Sequence, residues 1–183
     1  MEYSGTETGV AIDSAGVDWV RVSLRSGIGE SSTVATRAAL LTETGDITEL
    51  DGSRPVAFPG APKSDLYVVV HHRNHLPVMS AFPVDFSSGG AAYDFTTSMT
   101  QAYSAGWDPM VEVGTGKFGL IAADVNKDGQ ITVLDFNLWL TSTKSASKGY
   151  LDEDIDLDQN VTATDFNTFL VNTKAALRSQ VPD

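Results

Sequence analysis

Asp124-Val-Asn-Lys-Asp-Gly-Gln-Ile-Thr-Val-Leu-Asp135 and Asp154-Ile-Asp-Leu-Asp-Gln-Asn-Val-Thr-Ala-Thr-Asp165 are two copies of one twelve-residue pattern, offset by 30 positions. The likeness continues past the twelfth position. Phe136-Asn137 matches Phe166-Asn167, Leu140 matches Leu170, and Thr143-Lys144 matches Thr173-Lys174. The repeated unit is therefore a loop together with the segment that leaves it, which marks an internal duplication. Leu134, Leu138 and Trp139 after the first loop, and Phe166, Phe169 and Leu170 after the second, recur at helical spacing. Two loop-helix units are expected in the second half of the chain.

The loops also explain the charge. The formal net charge is -12, and nine Asp or Glu against three Lys lie between Leu120 and Asp165, so half of the excess sits in a quarter of the chain. Carboxylates crowded at alternate positions repel one another unless a cation lies among them. Ca²⁺ takes six to eight oxygens, and a twelve-residue loop supplies them from positions 1, 3, 5, 7, 9 and 12. In the first loop these are Asp124, Asn126, Asp128, the Gln130 carbonyl, Thr132 and Asp135. In the second they are Asp154, Asp156, Asp158, the Asn160 carbonyl, Thr162 and Asp165, with one more formal negative charge. Two Ca²⁺ ions are predicted. Position 6 needs a left-handed backbone, which Gly129 adopts freely and Gln159 only at a cost of about 1 kcal/mol. Ile131 and Val161, at position 8, are expected to pair the loops and enter the core.

Working outward toward the N-terminus, the periodicity changes from helix to strand. Val20, Val22 and Leu24 alternate with Arg21, Ser23 and Arg25, the pattern of a half-buried strand. Thr33 to Leu41 predicts a second strand, and Gly45-Asp46 and Asp51-Gly52 predict turns around the short segments Ile47 to Leu50 and Pro55 to Phe58. Leu66-Tyr67-Val68-Val69-Val70 is apolar on both faces and suits a central strand, and Val78 to Phe86 offers another. Two packed sheets would satisfy them all. The expected fold class is α+β: an N-terminal antiparallel β-sandwich followed by a small pair of loop-helix repeats. Its divisions are an extension at 1–16, the sandwich at 17–98, a Gly-, Ser- and Thr-rich connector at 99–117, and the repeat domain at 118–178.

Asp at position 12, a loop with an exiting but no entering helix, and two copies in about 55 residues together resemble type I dockerins. The resemblance covers about 120–176. It implies two Ca²⁺-binding loops and helices that dock a cohesin-like domain, with contacts at loop positions 10 and 11, here Val133-Leu134 and Ala163-Thr164. The order of strands and turns before it is similar to transthyretin-like and collagen-adhesin-type β-sandwiches. Tyr3-Ser-Gly-Thr-Glu-Thr, Val17-Asp-Trp-Val-Arg-Val, His72-Arg-Asn-His-Leu and Tyr93-Asp-Phe-Thr-Thr resemble a C-terminal module of secreted Bacteroidota-type proteins. That likeness implies an extracellular or cell-surface location and no particular activity.

The remaining signals narrow the function classes. An acidic chain with a pI near 4.4 disfavours nucleic acid and anionic membranes as partners. No cysteine is present, so disulfides, zinc thiolates and a thiol nucleophile are excluded. No apolar run approaches the roughly 18 residues of a membrane span, and the first residues lack the pattern of a signal peptide, as in a mature or excised fragment. Asn160-Val161-Thr162 matches the glycosylation triplet but lies inside a predicted metal loop. His71, His72 and His75 are the only histidines. If one strand carries His71 and His72 they face opposite ways, so at most one can converge with His75. A loop hydrogen-bonded by Asn74 and His75 is the favoured reading there. Trp139, Phe136, Phe166 and Phe169 are expected to form the core of the small domain. No nucleophile, phosphate loop or paired-acid arrangement indicates an enzyme. The leading expectation is a non-catalytic extracellular module for adhesion, attachment or assembly, stabilised by Ca²⁺, with a protein partner or self-assembly. The alternatives are a cohesin-binding dockerin, a subunit of an extracellular fibre, and a carbohydrate-binding sandwich.

Overall fold

The structure, a computed structural model, describes residues 16–145, 148–174 and 177–183. Apart from Gly16, the predicted N-terminal extension lies outside the described residues. Strand β1 (Gly16–Arg25) runs between β2 (Thr33–Thr42) and β4 (Asp65–His72), antiparallel to both. The short strands β3 (Ile47–Thr48) and β5 (Val78–Met79) close the order β3-β2-β1-β4-β5, and β6 (Val84–Asp85) also pairs with β4. Register places Val20 beside Ala39 and His72, and Val22 beside Arg37 and Val70. The β2–β3 turn closes through the Gly45 N–H to the Thr42 carbonyl, with Gly45 at φ 85°. Only glycine adopts that conformation at little cost. Two predicted segments form less strand than the pattern suggests. Pro55 makes an isolated bridge to Thr48, while Val78 to Phe86 splits into β5 and β6 around Pro83, which has no N–H to give a ladder.

The chain is α+β, but the described strands form one six-stranded sheet and a separate hairpin, not two facing sheets. Val20, Val22, Ala39, Val70 and Val78 form one apolar face, and Ala102, Met110, Phe95, Phe118 and Leu120 pack on it. The cover that a second sheet would have supplied is therefore mostly irregular chain. It includes a 3-10 turn at Met99–Gln101 and the hairpin β7 (Val111–Gly114) and β8 (Lys117–Gly119). The stretch read as a connector thus contributes Ala102 and Met110, at 4% and 2% exposure, to the core. Its small and polar composition hid the two apolar side chains that matter.

Helices α1 (Val133–Lys144) and α2 (Ala163–Lys174) each follow one acidic loop. Their rings meet in the expected aromatic core: Phe136, Trp139, Phe166 and Phe169 lie 5.1 to 6.3 Å apart by centroid. Around them pack Ile121, Ala123, Val125, Ile131, Ile155 and Val161. Leu134 and Leu138, whose spacing helped to mark the helix, face outward instead.

Candidate metal centre

The two loops fold by the same local hydrogen-bond scheme. Asp124 uses one oxygen for the Asp128 N–H (3.1 Å) and the other for the Gly129 N–H (3.1 Å); Asp154 does the same for Asp158 (3.0 Å) and Gln159 (3.1 Å). Asn126 Oδ1 and Asp156 Oδ1 accept those same position-5 N–H groups at 3.0 and 3.3 Å. Asp128 and Asp158 then accept the position-7 N–H, from Gln130 at 2.9 Å and Asn160 at 2.7 Å. Each short acid thus curls the chain by bonding a backbone group a few residues ahead, a habit of Asp and Asn in turns. In the second loop Asp154, Asp156 and Asp158 are thereby gathered around one point.

At position 12 both carboxylates are fully buried. Asp135 accepts the N–H of Asn126 (3.0 Å) and of Thr132 (2.8 Å). Asp165 accepts those of Ile155 (2.6 Å), Asp156 (3.1 Å) and Thr162 (2.7 Å). Each therefore ties the beginning of its loop to the start of its helix. Position 9 has a second duty. Thr132 and Thr162 accept the N–H two residues on, at 3.2 and 3.3 Å, and so cap the helices. A hydroxyl so engaged suits a water-bridged role toward a cation.

The left-handed backbone expected at position 6 is present at Gly129 (φ 78°) and at Gln159 (φ 69°). Position 4 is left-handed too, at Lys127 (φ 63°) and Leu157 (φ 64°), and neither residue type signals it. Nor do the loops pair directly through Ile131 and Val161 among the described residues. Both side chains enter the core, but the Ile131 N–H bonds the Leu177 carbonyl and the Ser179 N–H bonds the Gly129 carbonyl. The second loop in turn bridges through Asn160 to Lys148, with the Gly149 N–H on the Gln159 carbonyl. Each loop is lined by the chain leaving the opposite helix. The flanking residues make these ladder bonds, so they do not consume the position-7 carbonyls of Gln130 and Asn160.

A fit to a hard cation can be tested on the donors. Asp154, Asp156 and Asp158 each offer a carboxylate oxygen within 4.8 Å of the others. Oxygens 2.3–2.6 Å from one Ca²⁺ lie no more than about 5 Å apart, so the three fit a single ion. Carboxylate oxygens that accept one backbone N–H keep a further lone pair. The electrostatics agree. Burial, then the charges of Asp135 and Asp128, push the Asp124 carboxyl up to about 6, against opposing backbone hydrogen bonds. Burial also raises Asp154, and Asp165 adds to this, while the Arg73 guanidinium and backbone N–H groups oppose it. These are carboxylates made to share space.

What the sequence reading missed is the support from the sheet. The turn after β4 enters between the loops. The Asn74 carbonyl accepts the N–H of Ala123 (2.8 Å) and Asp124 (3.1 Å), and its side-chain amide donates to the carbonyls of Asp152 (2.9 Å) and Asp154 (2.7 Å). One fully buried asparagine thus positions the first ligand of both loops, where an EF-hand would have entering helices. The sequence signals carry only the expectation that Asn74 and His75 bond a loop, and Leu76 extends it by packing into the repeat core.

The three histidines do not converge. His71 pairs with Arg21 in the register while His72 pairs with Val20, so the two face opposite ways. His72 meets His75 edge-on at 4.4 Å, and its Nε2 lies 3.0 Å from Asp18 Oδ2 without a hydrogen bond. His75 is held by Asn74 Oδ1 at 2.7 Å. The only described His, Asp or Glu group close enough to share an ion is the one at Asp154, Asp156 and Asp158. No helix among the described residues is long and apolar enough to cross a membrane. Comparison with protein-family profiles, curated proteins and solved structures finds no match.

Proposed function

We propose that this chain is a non-catalytic, calcium-stabilised extracellular module for adhesion, attachment or assembly. The observation that carries the reading is repetition: two loops 30 residues apart curl around their first aspartate through the same hydrogen bonds at the same positions, and the second brings three carboxylates within 4.8 Å of one another. A bound divalent ion supplies the positive charge that lets those carboxylates share one centre. Asp124, Asn126, Asp128, Asp135 and the Gln130 carbonyl hold the first ion; Asp154, Asp156, Asp158, Asp165 and the Asn160 carbonyl hold the second. Because Asn74 joins both loops to the sheet, filling them stabilises the whole chain. Occupancy contributes RT ln(1 + [Ca²⁺]/Kd), about 2.7 kcal/mol per site at a hundredfold excess. Sites of even modest affinity would stay filled at extracellular calcium levels.

Calorimetric titration should find two equivalents of calcium, and melting should fall by roughly 10 °C or more in EGTA. Unchanged melting with no bound calcium rejects the reading. A second reading, dockerin-like docking of a cohesin domain, is favoured by the first turns of α1: Val133, Leu134 and Leu138 are 64%, 56% and 41% exposed. Pull-down against a panel of cohesin domains separates it from the first, with Leu134→Glu as the variant that should abolish capture.

A further inference from the structure

The two loops differ in one charge outside the repeat. Arg73 leaves the end of β4 and reaches the first ligand of the second loop, with Nη2 3.5 Å from Asp154 Oδ2. Its Nε donates to Asp18 Oδ2 at 2.9 Å, its Nη1 donates to the Leu151 carbonyl, and its plane lies 4.4 Å over the Tyr150 ring. The side chain is 11% exposed and that of Asp154 1%. A guanidinium so fixed puts a positive charge in a defined place. Among the described residues Asp124, the matching ligand of the first loop, has no such partner. The nearest ion pair there joins Lys127 to Asp152 at 2.7 Å, with both side chains well exposed.

Charge counting shows what Arg73 compensates. The second loop has four carboxylates, at Asp154, Asp156, Asp158 and Asp165; the first has three, because Asn126 stands where the second has Asp156. Arg73, shared with the buried Asp18 at 2.9 Å, stands beside the loop that has the extra carboxylate. We propose that Arg73 is a tethered cation of the second loop, a positioning residue that holds Asp154 in its ligand place when no metal is bound. The inference rests on the calcium reading above. Its consequence is an inequivalence: the second loop keeps its form without metal, while the first depends on the ion.

The loops contain their own matched reporters, the Gly129 and Gln159 N–H groups, each bonded at 3.1 Å to the equivalent oxygen of Asp124 or Asp154. In the full chain with EGTA, amide exchange at Gln159 is expected to be slowed about tenfold more than at Gly129, each relative to its unstructured rate. Arg73→Gln should remove that difference and enlarge the rise in melting temperature on adding CaCl₂. Arg73→Lys, which retains the charge, should keep most of both wild-type values. Equal protection of the two amides in the wild type overturns the proposal. So does a loss of melting temperature in Arg73→Gln that is the same with and without calcium, which would make Arg73 a structural tie alone. If Arg73→Gln does not fold, the wild-type amide comparison decides. Failure of the calcium reading is distinct, since it leaves melting unmoved by calcium in every variant.

Discussion

The first and second acidic loops are built by the same local rule and held by different neighbours. Both curl through aspartates that accept N–H groups at positions 5, 6 and 7, and both are closed by a buried aspartate at position 12. The first has the easier turn, with glycine at position 6, and a neutral asparagine at position 3. The second accepts a strained Gln159 and a fourth carboxylate, and it gains Arg73 and a denser set of bonds from Asp165. The comparison teaches that a duplicated motif can be conserved in its hydrogen-bond scheme while its stability is supplied from different places. Backbone ease and low charge serve one copy; contact with the sheet serves the other.

The position-12 acids offer the largest test of that contrast. Asp165→Ala strands three N–H groups and Asp135→Ala two. At about 1–3 kcal/mol for each donor left unpaired, calorimetric melting in EGTA should fall further for Asp165→Ala, by roughly 5 against 3 kcal/mol. An equal loss would show that the loops are not distinguished by this bonding.

Acidity provides the next. Asp124 in the metal-free protein has its carboxyl raised to about 6, by burial first and then by Asp135 and Asp128. A raised carboxyl stabilises the metal-free fold below its ordinary range near 4, and that contribution is lost as pH rises through 6. Calcium requires the ionised form, so its own stabilising increment should shrink as pH falls below 6, by up to about 1.4 kcal/mol per pH unit at the first site. His71 contributes the opposite slope. Burial, with Arg21 and Arg25 nearby, lowers it to about 3, so stability is lost as pH drops below 6.5 toward 3. That contribution cancels when melting with calcium is compared with melting in EGTA at each pH.

Making the loops alike in donor set should produce a smaller change. Asp156→Asn gives the second loop the donor set of the first while leaving Arg73 in place, and titration calorimetry should show one of the two sites weakened about tenfold, near 1.4 kcal/mol. Smallest is the turn at position 6. Gln159→Gly relieves a left-handed side chain and should stabilise by up to about 1 kcal/mol, offset in part by the freer unfolded chain. Gly129→Ala should cost a similar amount, since a Cβ there would also lie 3.4 Å from the Ser179 Cβ. Denaturant midpoints of the two variants check both signs.

Much of the local architecture was legible in the chain because local rules produced it. Alternation at Val20, Val22 and Leu24 marked β1, and those residues are buried. The spacing of the acids marked the loops, whose internal carboxylate-to-backbone hydrogen bonds span at most ten residues. Legibility ended where distant segments met. Nothing in the period of Val78 to Phe86 showed that it would break into two short strands, or that Met110 would cover the sheet in place of a second one. Leu134 and Leu138 obeyed the helical period and yet face outward, because Phe136, Trp139 and the aromatic rings of α2 occupy the inner side.

By itself, then, the sequence determined the duplicated loops, the helices that leave them and the strands of the central sheet. Hydrogen bonds over a few residues and the alternation of apolar side chains are encoded by neighbours along the chain. Only the tertiary structure decided that Asn74 would stand between the loops, that Arg73 would face Asp154, and that each loop would be lined by the chain leaving the other helix. These contacts join residues up to about 80 positions apart, and no local preference of Arg73 or Asn74 names a partner at that distance. The packing of the sheet against the repeats selects it.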